Sequence, residues 1–212
     1  MRTLPIVPTA WLLALAAFAL PFARSSGLDV SYLLSPAYAG RSKAAVALAG
    51  FHGGGRVFKG FSVAAHFKPD AAMAGGDTGD IVGFGARRVV LRLEGGKAPY
   101  KLVARIDCGE TIATAAVVTA DGWHHAAATG EPTPDGKWKV RVFLDGKQAA
   151  EGVSGKLPVP AVMPESLILG TEIFYFKGSH YRGLIGRTMV FDRPLPPGEI
   201  AALATKESAA GR

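Results

Sequence analysis

The chain has 212 residues, 49% of them hydrophobic, with 24 Lys and Arg against 17 Asp and Glu and a formal net charge of +7. That length can bury one sizeable core and argues for about one domain. The single cysteine, Cys108, excludes an intrachain disulfide and a zinc site built from several thiolates. The mild basic bias suits acidic glycans, anionic lipid or nucleic acid and does not choose among them.

Met1-Arg2 and the uncharged apolar run from Ile6 to Ala23, densest from Trp11 to Leu20, have the pattern of a secretory signal. Ala23 and Ser25 predict a cut after Ser25, so residues 1–25 are expected to be removed and the product to be secreted, periplasmic or on the cell surface. A cut after Ala39 is one alternative. A retained anchor is another, against which Pro8, Pro21 and the marginal length argue. Removal leaves 22 Lys and Arg against 17 Asp and Glu, a net +5. Residues 26–43 read as a loose lead-in.

Ala44 to Leu48 predicts a short buried strand, and Gly50 to Gly60, with His52, the glycines 53–55 and Arg56, a turn. A glycine run can bring backbone amides to an anion, but no Gly-Lys-Ser/Thr and no helix start follow it here. Phe61, Val63, Ala65 and Phe67 alternate with Ser62, Ala64, His66 and Lys68 in the period of a strand, which Pro69-Asp70 ends. The loop from Ala71 to Asp80 contains the densest acidic spot, Asp77-Thr78-Gly79-Asp80. Ile81 to Phe84, Val89 to Leu93, Tyr100 to Ile106 and Ile112 to Val118 read as further strands, the second and third of these joined by a turn at Gly95-Gly96-Lys97. One parity sends Val89, Leu91, Leu93, Tyr100, Leu102 and Ile106 to the core, and makes Cys108 a small buried apolar residue. The other parity gathers Arg88, Arg92, Lys101 and Arg105 on an outward face, with Glu94 and Asp107 to offset part of the repulsion.

Trp123 to Ala128 predicts a strand that sends His124 and His125 to opposite faces, so the two cannot chelate one metal from the same side. Trp138, Val140, Val142 and Leu144 share one face of the next strand, and Lys139, Arg141 and Phe143 the other. Asp145-Gly146 then supplies a two-residue turn to a partner strand, Lys147 to Glu151. Pro158, Pro160 and Pro164 mark a connection that cannot lie inside a central strand. Pro197 to Lys206 is the one convincing helix, with prolines at its start and Glu199 in its first turn; residues 207–212 read as a frayed tail. Short strands at this density predict an all-β, two-sheet antiparallel sandwich with one short C-terminal helix.

Several stretches in this order carry a family resemblance. They are Phe61 to Asp70, Gly122-Trp123-His124-His125-Ala126-Ala127 with Leu144-Asp145-Gly146-Lys147, Leu167-Ile168-Leu169-Gly170, and Gly183 through Asp192-Arg193-Pro194-Leu195 with Glu199-Ile200. Together they resemble the laminin G-like, concanavalin A-like jelly-roll family over roughly residues 42 to 206, which implies one domain over residues 44–206. The same sandwich hosts sugar-binding, protein-binding and catalytic members, so the resemblance implies a fold and not a function. Relatives that hold calcium commonly read Gly-x-Ile-Asp-Glu-Val in the last strand. This chain reads Gly183-Leu184-Ile185-Gly186-Arg187-Thr188, which removes both acids and leaves Asp77 and Asp80 as weak candidate ligands. No metal or other cofactor is expected.

Glucanases on this sandwich place their acid and nucleophile on alternate residues of one strand, about 5 Å apart; no Glu-x-Asp occurs here, and neither does Gly-x-Ser-x-Gly. The chain is therefore expected not to be an enzyme. His125, on the face of Trp123, is expected to be a satisfied core or edge histidine. The segment 173–182 sets Phe174, Tyr175, Phe176 and Tyr181 beside Lys177, His180 and Arg182, a composition that suits sugar stacking and hydrogen bonding on a loop. The sequence-based expectation is an exported, non-catalytic binding module. Its ligand would be a carbohydrate, in particular an acidic polysaccharide held by Arg88, Arg92, Lys101 and Arg105 with Phe174, Tyr175, Phe176, His180 and Tyr181, or else an extracellular protein surface. The alternatives are a structural module that packs on a partner chain and a glycan-active enzyme. No nucleic-acid partner is expected, and a membrane only through an uncleaved N-terminal segment.

Overall fold

The computed structural model describes residues 56–73, 77–85, 88–107, 109–163, 167–170 and 181–208. The expected signal, lead-in and first strand (residues 1–48), Cys108, and Phe174, Tyr175, Phe176 and His180 lie outside the described residues.

Among the described residues twelve strands and one helix follow in chain order: β1 (Arg56–Phe58), β2 (Phe61–Pro69), β3 (Thr78–Phe84), β4 (Val89–Glu94), β5 (Tyr100–Ile106), β6 (Glu110–Val118), β7 (His124–Pro132), β8 (Trp138–Leu144), β9 (Lys147–Ser154), β10 (Ala161–Met163), β11 (Leu167–Leu169), β12 (Gly183–Phe191) and α1 (Pro197–Ser208). They form two five-stranded antiparallel sheets, a front sheet in the order β11-β3-β4-β5-β6 and a back sheet in the order β12-β2-β7-β8-β9. A separate pair, β1 with β10, completes the described strands. This is the two-sheet antiparallel sandwich that the alternation predicts, in the jelly-roll form that the resemblance implies, with one short helix among the described residues.

The main core lies between the sheets. The front sheet contributes Val89, Leu91 and Leu93 with Tyr100, Leu102 and Ile106, and the back sheet Phe61, Val63 and Phe67 with Trp138, Val140, Val142 and Leu144. Each such side chain removed from water stabilises the fold by about 1.5–3 kcal/mol. Trp138 packs against Phe61 with the rings tilted and their centroids 5.3 Å apart, and its indole N–H donates to the Pro158 carbonyl at 3.1 Å, so its one polar atom is satisfied. The opposite parity of the back sheet forms a second, smaller core: Ala64, Ala127, Phe143, Met189 and Phe191 meet Leu195 and Ile200 beneath α1. Phe143, outward by parity, is thus buried because a helix covers it. The turn at Asp145 (φ 50°) and Gly146 (φ 79°) abuts the same helix, and a Cβ on Gly146 would lie 3.0 Å from Ala201 Cα.

The expected elements differ from the structure at their edges. The stretch read as a glycine turn contains β1, whose partner β10 sits between Pro160 and Pro164 in the stretch read as a connection. The acidic loop is shorter than expected, because β3 begins at Thr78 and takes Asp80 into the sheet. A bulge between Asp80 and Val82 in the β3 to β4 register hides this from a strict period of two.

Candidate ligand platform

The front sheet places Arg92, Lys101 and Arg105 on one outward face, as their parity requires, opposite Val103, Glu94 and Val90 respectively. That face is not an open basic stripe. Arg92 is 6% exposed and Asp80 2%. Their side chains meet in a two-point ion pair, with Nε at 2.8 Å and Nη2 at 2.6 Å from Asp80 Oδ1. Asp80 stands directly across from Arg92 in the β3 to β4 register, and a guanidinium withdrawn from water is stable only with such a partner. Val90 and Val103, on the same side, are also buried. Arg92 is therefore corrected from a solvent-facing ligand group to half of a structural pair, and Asp80 from a rim metal ligand to its partner. Arg88 pairs with Asp107 at 2.9 Å. Lys101 is exposed and Arg105 half-buried. Asp77 is exposed, and its carbonyl caps the amides of Gly95 and Gly96 at 2.8 and 3.1 Å. Among the described residues no three His, Cys, Asp or Glu side chains are grouped to hold a metal.

Tyr181 is likewise corrected. It is buried with its ring edge-on to Phe67 and its hydroxyl donating to the Leu184 carbonyl at 3.1 Å, so it packs the end of the sandwich and does not face a ligand. Burial, and then the charge of Asp70, push its phenol pKa well above the usual value.

The outward face of the back sheet carries what the sequence did not single out. The last β2 to β7 pair joins Phe67 to His124, so Trp123 lies just beyond the ladder next to Lys68. Trp123 is 52% exposed, one of few large apolar side chains left in water among the described residues. Its indole lies across the sheet onto β12, where Cζ3 and Cη2 sit 3.2 and 3.6 Å from the point a Cβ on Gly186 would occupy. Gly186 falls where the β12 to β2 register shifts, between Ile185 and Thr188, and the β carbon of His66 is 3.5 Å from the same point. Glycine at this bulge is what lets the ring rest on the strand. Half-buried Lys68, Leu184 and Arg187 and exposed Asp121 come from the segments that flank it. The Thr119 hydroxyl donates to Asp121, and this contact first, with Lys68 and His124 contributing, holds its carboxyl below the usual range.

Beside the indole, His66 and His125 face each other in register with ring centroids 4.6 Å apart at 52°. His125 is 1% exposed, and neither of its ring nitrogens has a hydrogen-bond partner. It is buried as expected but not satisfied. Burial first, and then the neighbouring His66, push its pKa down to about 3, so it is neutral at ordinary pH. His124 points to the other face, as alternation predicts, and its ring lies 5.7 Å from Phe67. Its Nδ1 is 2.9 Å from Asp145 Oδ2 and its Nε2 is 3.1 Å from the Thr119 carbonyl. The hydrogen bond to Asp145 is the main reason its pKa is raised.

Beyond the apolar part that α1 covers, the outward face of β8 and β9 is charged but internally balanced. Arg141 bonds Glu131 at 2.8 Å and Glu151 at 2.9 Å, and Lys139 reaches Glu151 at 3.0 Å. An aromatic surface with a cation and a carboxylate at its rim can stack on the apolar face of a sugar ring while the polar groups bond its hydroxyls.

Solved structures similar to this one are jelly-roll domains of low sequence identity. A native heptameric SAP-like pentraxin from Limulus polyphemus matches with a TM-score of 0.59 and 12% identity over 79% of this chain and 80% of its own. Domain 4 of a GH43 extracellular arabinanase from Geobacillus stearothermophilus, solved in complex with arabinotriose, matches with a TM-score of 0.54 and 16% identity over 85% and 82%. The CBM40 module of a Ruminococcus gnavus IT-sialidase, bound to α2,3 sialyllactose, matches with a TM-score of 0.52 and 13% identity over 84% and 96%. Among curated proteins, none matches the sequence. The family model for concanavalin A-like lectins and glucanases matches residues 42–201, and the chain belongs to that superfamily.

Proposed function

We propose that this chain is an exported, non-catalytic glycan-binding module whose ligand stacks on Trp123. The observation that carries the reading is the half-exposed indole seated on Gly186. The indole lies across β12 on a glycine with polar groups on the flanking segments, and an aromatic ring so presented can stack on the apolar face of a sugar. Lys68, Asp121 and Arg187 supply the polar partners a sugar needs. Two of the similar folds were solved with an oligosaccharide bound, which supports a carbohydrate ligand over a protein surface.

Binding without catalysis is supported by the sequence, which lacks the Glu-x-Asp pattern by which glucanases on this sandwich set an acid and a nucleophile on one strand. Independence from calcium is part of the proposal, since the last strand carries Gly186 and Arg187 where calcium-holding relatives carry acids. Export rests on the apolar N-terminal run.

The test is a glycan array probed with the protein and with Trp123→Ala, followed by calorimetry on the best binder. Loss of one stacking ring should weaken binding at least tenfold, about 1.4 kcal/mol, with the melting temperature preserved. Lys101→Ala with Arg105→Ala, on the front sheet, should leave affinity unchanged. If the front-sheet double variant loses binding and Trp123→Ala keeps it, the ligand is a polyanion on the basic face.

A further inference from the structure

His124 sits immediately before the buried pair and immediately after the indole, and both of its ring nitrogens face acceptors. Nδ1 meets Asp145 Oδ2 at 2.9 Å, while the other oxygen of that carboxylate accepts the His125 backbone N–H at 2.8 Å, which fixes the carboxylate in place. Nε2 meets the Thr119 carbonyl at 3.1 Å and the Thr119 hydroxyl oxygen at 3.4 Å. That hydroxyl spends its proton on Asp121 and so can only accept from His124. A neutral imidazole has one N–H and one lone pair. In either tautomer the lone pair would point at an oxygen. Only the doubly protonated ring satisfies both sides, and in doing so it ties the loop Thr119 to Trp123 to the turn between β8 and β9.

We infer that His124, as an imidazolium, is the positioning residue that holds Trp123 as a ligand platform, so that the platform is set while the ring is doubly protonated and released as rising pH removes its second proton. This rests on the reading of Trp123 as the glycan contact. The charged and titratable groups around His124 are Asp145 from the β8 to β9 turn, Asp121 from its own loop, Lys68 and His66 from β2 and His125 from β7. Asp145 and Asp121 both favour the imidazolium. His125 stays neutral throughout the range concerned. Because the folded pKa of His124 lies above its unfolded value, the clamp is fully present below about pH 6.5 and is lost as pH rises through the folded value.

The experiment labels the full chain with 5-fluorotryptophan and follows the ¹⁹F resonance of Trp123, assigned with Trp123→Phe, from pH 5.5 to 9. The Trp123 resonance should titrate with a midpoint above 6.5, while that of Trp138, buried and bonded to Pro158, stays fixed and reports an intact fold. Asp145→Asn keeps a side chain that tolerates the positive φ and still accepts the His125 N–H, but removes the charge. It should lower the midpoint by about one pH unit or more. His124→Gln should abolish the titration. A Trp123 resonance that does not move in the unmutated protein, or that titrates alike in Asp145→Asn and His124→Gln, overturns the inference. Calorimetry against sialyllactose and arabinotriose at pH 6 and 8.5 separates the two claims. If the indole titrates and neither sugar binds, the clamp stands and the ligand class is wrong; affinity equal at both pH values with a fixed resonance removes the clamp and keeps the platform.

Discussion

Acidification from pH 6.5 to 5 should cost the fold about 2 kcal/mol through His125 alone. The side chain is 1% exposed, has no hydrogen-bond partner and has its pKa pushed down to about 3 by burial and by His66. In the unfolded chain it titrates near 6.5. The folded state therefore excludes a proton that the unfolded state binds, and stability is fully present above pH 6.5 and falls by about 1.4 kcal/mol per pH unit below it, until the folded value is reached. His124 does not obscure this, since its raised pKa leaves it protonated in both states below 6.5. The depressed carboxylates begin to titrate only below about pH 4.5. Denaturant melts at half-unit pH steps measure the slope. His125→Leu removes the titrating group together with two unsatisfied nitrogens, so it should flatten the difference curve between pH 6.5 and 5 and leave stability at pH 7.5 equal or higher. Parallel pH dependence in the variant and the parent would refute the claim that His125 is buried neutral.

Other predictions follow from packing and charge. Arg92→Ala should cost about 3–5 kcal/mol by breaking the buried ion pair with Asp80, whereas Lys101→Ala, on the same sheet face but exposed, should change stability by less than about 0.5 kcal/mol; chemical denaturation distinguishes the two. Gly130→Ala would drive a methyl into the Phe61 ring, which is buried against Trp138, and should cost about 1–3 kcal/mol with a matching fall in melting temperature. A chelator should leave the melting temperature unchanged, and a fall of several degrees would show a calcium site that stabilises the fold.

The architecture was legible wherever burial alone decides. Trp138, Val140, Val142 and Leu144 alternate because one sheet face is dry, and the pairing of β4 with β5 follows from Gly95 and Gly96 at positive φ between them. The opposite directions of His124 and His125 follow from the same period of two. What failed was the inference that outward means exposed. Arg92 is outward by parity and nearly inaccessible, because Asp80, hidden in an apparent loop behind a bulge, comes into register with it. Tyr181 belonged by composition to an aromatic binding loop, yet its hydroxyl found a carbonyl within the fold. Trp123 was absorbed into a strand, since only the folded register brings it to Gly186. The departure at Gly186 and Arg187 was visible as the loss of two acids; that the missing side chain makes room for an indole was not. Thr119, Asp121 and His124 around one Trp would have been the available signal, but nothing in sequence ties them to Asp145.

The most direct test of the binding claim is chemical-shift mapping of the ¹⁵N-labelled protein, titrated with the strongest binder from the glycan array at pH 6. The account predicts that the Trp123 indole N–H resonance and the amides of Thr119 to Gly122 and Gly186 to Thr188 shift in a saturable manner, while the Trp138 indole stays in place. Saturable shifts confined to Lys101, Arg105 and their front-sheet neighbours, with Trp123 unmoved, would contradict it.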